Sequence, residues 1–174
     1  MPSGHGAGRF RPARLLIERV IDLWALLGGL VLFAVVGVNA WSVLAGWLFN
    51  APFAGDFELT EMGTGIAVFA FLPYCQLTGA NISADIFTMR AGPRQVALMS
   101  LLAALVATSF AGLLIWRTWA GLVDYRAYTE FTGILEIPIW WAFVPALMSL
   151  VLLFLAAVIT LADALAGMKS LERN

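Results

Sequence analysis

The stretch that decides the fold is LWALLGGLVLFAVVGVNAWSVLAGWLF, residues 23–49, which contains no acidic or basic side chain. A helix needs about 20 apolar residues to cross the hydrocarbon core of a bilayer. In lipid every backbone polar group must be paired within the protein, which favours a helix over an open strand. The stretch therefore predicts a membrane-spanning helix in the first third of the chain.

Three further apolar segments follow, and with the first they predict an all-α integral membrane protein with four transmembrane helices. They cover residues 57–78, about 95–123 and 137 to about 165. The composition agrees, because 61% of the 174 residues are hydrophobic and only 12% are charged, against about a quarter charged in soluble domains. We expect a four-span membrane domain over residues 15–168, preceded by a flexible cytoplasmic amino terminus (1–14) and followed by a cytoplasmic tail (169–174).

The basic residues predict how the four spans are oriented. Eight of the ten lie before the first span, between the second and third, or after the fourth: Arg9, Arg11, Arg14, Arg19, Arg90, Arg94, Lys169 and Arg173. The other two loops contain only Arg126. Loops rich in Lys and Arg face the cytoplasm, so we expect both termini there. Six of the seven Trp would then lie in the outer halves of the spans, as an aromatic belt.

A short amphipathic helix is expected between the second and third spans. Four apolar residues of this loop recur at spacings that place them on one helical face: Ile82, Ile86, Phe87 and Met89. Gly92 and Pro93 follow them and would end such a helix. We therefore predict that this helix lies in the inner membrane interface.

Several function classes are disfavoured by residues that the apolar part of the chain lacks. His5 is the only histidine and Cys75 the only cysteine. A membrane haem commonly uses two histidine ligands, and a catalytic zinc usually needs several protein ligands. No basic patch with interleaved aromatic residues points to nucleic acid. We expect no cofactor in this chain and no enzymatic activity.

Two opposite charges are predicted at similar depth in the second and third spans. At about 1.5 Å per residue, Glu61 lies about 6 Å below the outer surface and Arg117 about 10 Å below it. Pairing would offset the cost of two lone charges in a low dielectric, so we expect an intramembrane ion pair. Two alternatives remain: each side chain reaches separately to the headgroups, or contacts another subunit.

Three stretches resemble the small membrane subunit of tripartite ATP-independent periplasmic (TRAP) transporters. They are DFELTEMGTGIAVFAFLPYCQLTGANISADIF (56–87), RTWAGLVDYRAY (117–128) and TGILEIPIWWAFVPALM (132–148). The resemblance covers nearly all of residues 15–165. Asn81 stands where many members have His and Ala84 where Val is usual, whereas Ile82 and Asp85 fit the family pattern.

The resemblance implies an accessory scaffold subunit in the bacterial inner membrane. The complete system would be a sodium-coupled, binding-protein-dependent secondary importer of organic-acid anions. A large elevator-type membrane subunit would bind substrate and sodium, and a soluble periplasmic protein would deliver the substrate. Independent function as a small four-helix proton-coupled antiporter, with Glu61 carrying the proton, is the alternative.

Two groups of residues are assigned to contacts with these partners. Packing against the large subunit is expected for one polar and three small residues within the spans, since small residues let helices approach closely: Asn39, Gly63, Ala67 and Ala70. A periplasmic docking surface is expected from the charged residues at the outer end: Asp56, Glu58, Asp124, Arg126 and Glu130.

Overall fold

The computed structural model describes residues 11–79 and 92–172, and these residues form four helices joined by short loops. The helices are α1 (Arg11–Phe49), α2 (Asp56–Thr78), α3 (Pro93–Tyr128) and α4 (Trp140–Glu172). The all-α prediction is confirmed. α1 begins at Arg11, within the expected amino-terminal segment, and α4 ends at Glu172, within the expected tail. The expected amphipathic helix lies outside the described residues.

Three of the four helices are long and apolar enough to cross a membrane. These are α1, α3 and α4, whereas α2 is not among them. Its 23 residues include three carboxylates, in the sequence DFELTE with which it begins. Length and composition therefore identify three spans, one fewer than the sequence predicted.

The helices lie side by side in the order α1, α2, α4, α3. α2 packs against α1 on one side and α4 on the other, and α3 packs against α4. α1 also contacts α4, where Trp24 Nε1 donates a 2.8 Å hydrogen bond to Ser149 Oγ. Arg14 forms 2.9 Å ion pairs with Glu18 and with Asp163 near the end of α4. The start of α1 and the end of α4 therefore lie at the same end of the row, called here the terminal end.

Small residues bring α1 and α2 into close contact. Ala67 and Ala70 are 1% and 2% exposed, and a Cβ added to Gly28 would lie 2.6 Å from the Cβ of Ala70. Gly63 leaves space for the side chain of Val35 in the same way. Since helices approach closely where side chains are small, this interface depends on residues that resist enlargement.

A polar link crosses the same interface. Asn39 Nδ2 donates to Thr60 Oγ1 at 2.6 Å and to the Val35 carbonyl at 2.9 Å. The prediction for these positions therefore needs correction, because Asn39, Gly63, Ala67 and Ala70 pack α1 against α2 within the chain. The small residues do mark a close helix contact, and the partner is the neighbouring helix of the same chain.

Much of the apolar surface is left uncovered by this arrangement. Large side chains on α1 are widely exposed, including Leu26 at 70%, Phe33 at 76% and Trp47 at 81%. A soluble protein rarely exposes contiguous apolar surface on this scale. The exposed surface therefore suits contact with lipid or with another membrane protein.

Candidate functional site

The two short loops at the other end of the row, residues 50–55 and 129–139, form what we call the loop end. The longer loop folds back on itself, with an antiparallel bridge between Phe131 and Pro138. Thr132 N donates to the Ile137 carbonyl at 2.9 Å, and Ile139 N donates to the Glu130 carbonyl at 3.1 Å. These bonds make residues 129–139 a small, ordered hairpin directly before α4.

Glu58 attaches this hairpin to α2. Its two carboxylate oxygens accept the amide N–H groups of Ile134 at 2.6 Å and Leu135 at 2.9 Å. Leu135 also packs against Gly55, whose φ of +100° is a conformation that L side chains rarely adopt. The Glu58 carboxylate therefore positions the hairpin, and its part in docking the binding protein stays a prediction.

Asp56 also forms a hydrogen bond within the protein. Its carboxylate accepts a 2.6 Å hydrogen bond from Ser42 Oγ, and that hydroxyl accepts the Phe53 N–H at 3.1 Å. Ser42 is only 2% exposed, so the group joins the end of α1, the 50–55 loop and the start of α2. Two of the five expected docking residues therefore hold the loop end together.

The other three expected docking residues are exposed. Asp124 and Arg126 lie in the last turns of α3, and Glu130 begins the hairpin. The Arg126 guanidinium carbon lies 5.8 Å from the centre of the Trp140 ring, a cation–π distance. Their role in docking stays a prediction, and their positions at the loop end are compatible with it.

The predicted ion pair between Glu61 and Arg117 is not formed. Among the described residues, the ion pairs within 4.0 Å are those of Arg14. The Arg117 guanidinium carbon lies 6.0 Å from the Trp116 ring centre, and both Arg117 and Glu61 are exposed. The physical reason is the helix packing, because α2 and α3 each pack against α4 rather than closely against each other, although they are consecutive in sequence.

Glu61 instead lies at an open groove of about 430 Å³, which we call the Glu61 groove. α2, α3, α4 and the hairpin all contribute to its walls. Apart from Glu61, Thr118 and Thr132, the lining is mostly apolar. It includes Ile66, Phe69, Ile139, Phe143 and Ala146. The groove therefore combines one carboxylate with a mostly apolar lining.

The described residues offer little chemistry beyond these contacts. The polar side chains that they bury are Ser42 and Ser149, and both hydroxyls are hydrogen-bonded within the protein. The same residues, 11–79 and 92–172, contain no group of three or more His, Cys, Asp or Glu arranged to hold a metal. These side chains can therefore hold the four helices together and present an exposed surface to a partner.

Comparison with known proteins identifies the family. The sequence-family model for the DctQ component of tripartite ATP-independent periplasmic transporters matches residues 35–167. This range runs from the middle of α1 to near the end of α4 and includes Glu58, Glu61 and the hairpin. A search of curated proteins found no match. Since the match covers most of the 174 residues, the chain belongs to the DctQ family, the small membrane component of TRAP transporters.

Proposed function

We propose that this subunit is the non-catalytic scaffold of a sodium-coupled secondary importer of organic-acid anions in a bacterial inner membrane. Family membership implies association with a large DctM subunit and a periplasmic binding protein. In this proposal the large subunit binds substrate and sodium and carries out the elevator movement. The small subunit enlarges the stationary part of the complex and binds no cofactor of its own.

One observation carries the scaffold role: the polar side chains buried in the described part of the chain are two hydrogen-bonded serines. A transporter that moves ions or acids through itself places ionisable groups on an internal path. The buried hydroxyls here link helices, and the exposed apolar surface is extensive. This combination supports a protein whose task is to pack against lipid and a larger partner.

We also propose that α2 is a fourth span, although its composition alone does not qualify it. Its length of 23 residues corresponds to about 35 Å at 1.5 Å per residue. It lies between α1 and α4, both apolar enough to cross the bilayer. Its acidic first turn belongs to the loop end, where Asp56 and Glu58 are hydrogen-bonded. Four spans place both termini on one side, which the basic residues assign to the cytoplasm.

The loop end then faces the periplasm. Asp124, Arg126 and Glu130 remain the proposed docking residues for the binding protein, because their side chains are exposed there. The hairpin that presents Glu130 is held by backbone hydrogen bonds and by Glu58. A surface that is ordered before binding loses less entropy when its partner docks.

The antiporter alternative is less well supported. It requires Glu61 to exchange protons inside a bundle, shielded from the surface. Glu61 is instead exposed and lines an open groove.

Reconstituted transport tests the proposal. Liposomes containing the large subunit, with binding protein and an inward sodium gradient, should take up an organic-acid anion only when the small subunit is also present. The small subunit alone should be inactive with or without a sodium gradient. Full uptake without the small subunit would refute the scaffold role, and proton-coupled antiport by the small subunit alone would favour the alternative.

A further inference from the structure

We propose that the Glu61 groove is the docking site for a transmembrane helix of the large subunit, and that a Lys or Arg on that helix pairs with the Glu61 carboxylate. The inference rests on the proposed function, because it requires a large subunit and a membrane-spanning α2. It adds the location of the contact on this chain and the charge of the partner residue.

The first support is that the Glu61 carboxylate is exposed and has no cationic partner among the described residues. Glu61 is the sixth residue of α2, so it lies about 7.5 Å along the helix axis from Asp56. Ionisable side chains at membrane depth are costly and usually face protein or water. A cationic partner would remove that cost.

The second support is the shape and chemistry around the carboxylate. Phe57, Glu61 and Val68 are spaced by four and seven residues, so they lie along one side of α2. Phe57 is 75% exposed and Val68 55% exposed. The groove beside this ridge is lined by Ile66, Phe69 and Phe143 among others. A ridge next to an apolar groove is the surface that a second helix packs against.

The third support concerns why the cation belongs to a protein. A lipid amine stays at headgroup level, whereas Glu61 lies more than one helical turn below the start of α2. The stem of a Lys or Arg can lie along apolar surface and deliver its charge to such a depth. Arg117 of this chain does not fill the role, since it forms no ion pair with Glu61.

Charge reversal in the intact complex gives the first test. Glu61→Gln and Glu61→Lys are introduced into the small subunit, which is co-expressed with a tagged large subunit. Glu61→Lys should reduce the small subunit recovered with the large one by about tenfold, because like charges then oppose each other. Glu61→Gln should give a smaller loss, and Glu136→Lys, at another exposed acid of the hairpin, should give none.

The total small subunit in the membrane is measured in parallel, so that loss of expression is distinguished from loss of association. Recovery of Glu61→Lys at the wild-type level would overturn the inference. Failure of the wild-type subunits to co-purify would instead count against the proposed function itself.

Photo-crosslinking gives a second test that requires no loss of stability. A photoreactive amino acid at Val68 should form an adduct with one transmembrane peptide of the large subunit, and that peptide should carry a Lys or Arg. The same group at Leu105, exposed on α3 at the end of the row, is the control and should not label that peptide. Adducts at Val68 with phospholipid alone, or with a second copy of this chain, would overturn the inference.

Discussion

The carboxylate of Glu58 accepts the amide N–H of Leu135 at 2.9 Å, across 77 residues of sequence. The neighbouring amide of Ile134 donates to the other carboxylate oxygen. One acidic side chain at the start of α2 therefore determines where the hairpin before α4 lies. This contact changes what is expected of mutations at the loop end.

Replacing Glu58 with Ala should loosen the hairpin. Both amides lose a charged acceptor, and charge-assisted hydrogen bonds are among the stronger ones. We expect the amides of Ile134 and Leu135 to exchange with deuterium at least about tenfold faster than in the wild type. Glu130→Ala removes an exposed carboxylate from the same hairpin and should leave those rates nearly unchanged. Equal amide exchange rates in Glu58→Ala and the wild type would show that the Glu58 carboxylate does not hold these two amides.

Enlarging Gly28 should push α1 and α2 apart. Gly28→Leu places side-chain atoms where Ala70 already lies, and overpacking of this kind costs about 1–3 kcal/mol of unfolding free energy. Gly37→Leu is the matched control, because a Cβ added there has no neighbour within 4 Å. Unfolding of the purified protein in detergent measures both variants. Equal stability of the two would contradict the packing described for this interface.

The hydrogen bond between Asn39 and Thr60 should appear as an energetic coupling. Asn39→Ala and Thr60→Val each remove one partner, and the double variant removes both. Hydrogen bonds between membrane helices contribute about 1 kcal/mol. We therefore expect the sum of the two single losses in unfolding free energy to exceed the loss in the double variant by roughly that amount. Unfolding of all four proteins under the same conditions measures it. Strictly additive losses would mean that the two side chains do not interact.

The topology can be tested by labelling. In a Cys75→Ala background, single cysteines at Ala51 and Ala127 should react with an impermeant reagent in intact cells, whereas one at Ser170 should not. The basic residues at the terminal end are the reason for this expectation. A protein in which α2 did not cross would place Ala51 and Ser170 on the same side. Labelling at Ser170 would therefore exclude four spans with both termini in the cytoplasm, and labelling at both Ala51 and Ser170 would exclude four spans.

The sequence predicted the helices well and their neighbours less well. Apolar length located the helices, because a bilayer requires long runs that pair their own backbone. It did not reveal that α4 lies between α2 and α3, and the Glu61–Arg117 pair was predicted on the assumption that consecutive helices are adjacent. Helix order depends on the fit of side chains over whole faces, which spacing along one helix does not specify.

The internal contacts of the acidic loop end could not be predicted from the sequence for a related reason. Glu58 and Asp56 lie in a short polar segment, where solubility or docking is the ordinary interpretation. Their partners are the backbone amides of Ile134 and Leu135 and the hydroxyl of Ser42. A backbone amide is present at nearly every residue, so the sequence does not indicate which amides will donate to a given carboxylate.

The position of α4 in the row has a consequence for biogenesis. The chain leaves the ribosome in the order α1, α2, α3, α4, but α4 occupies the place between its two predecessors. Until α4 has been synthesised and inserted, the nascent protein consists of an α1–α2 hairpin and a separate α3 without the helix that joins them. Membrane assembly of these four helices is therefore completed by α4, and a chain truncated before Trp140 would lack the helix against which both α2 and α3 pack.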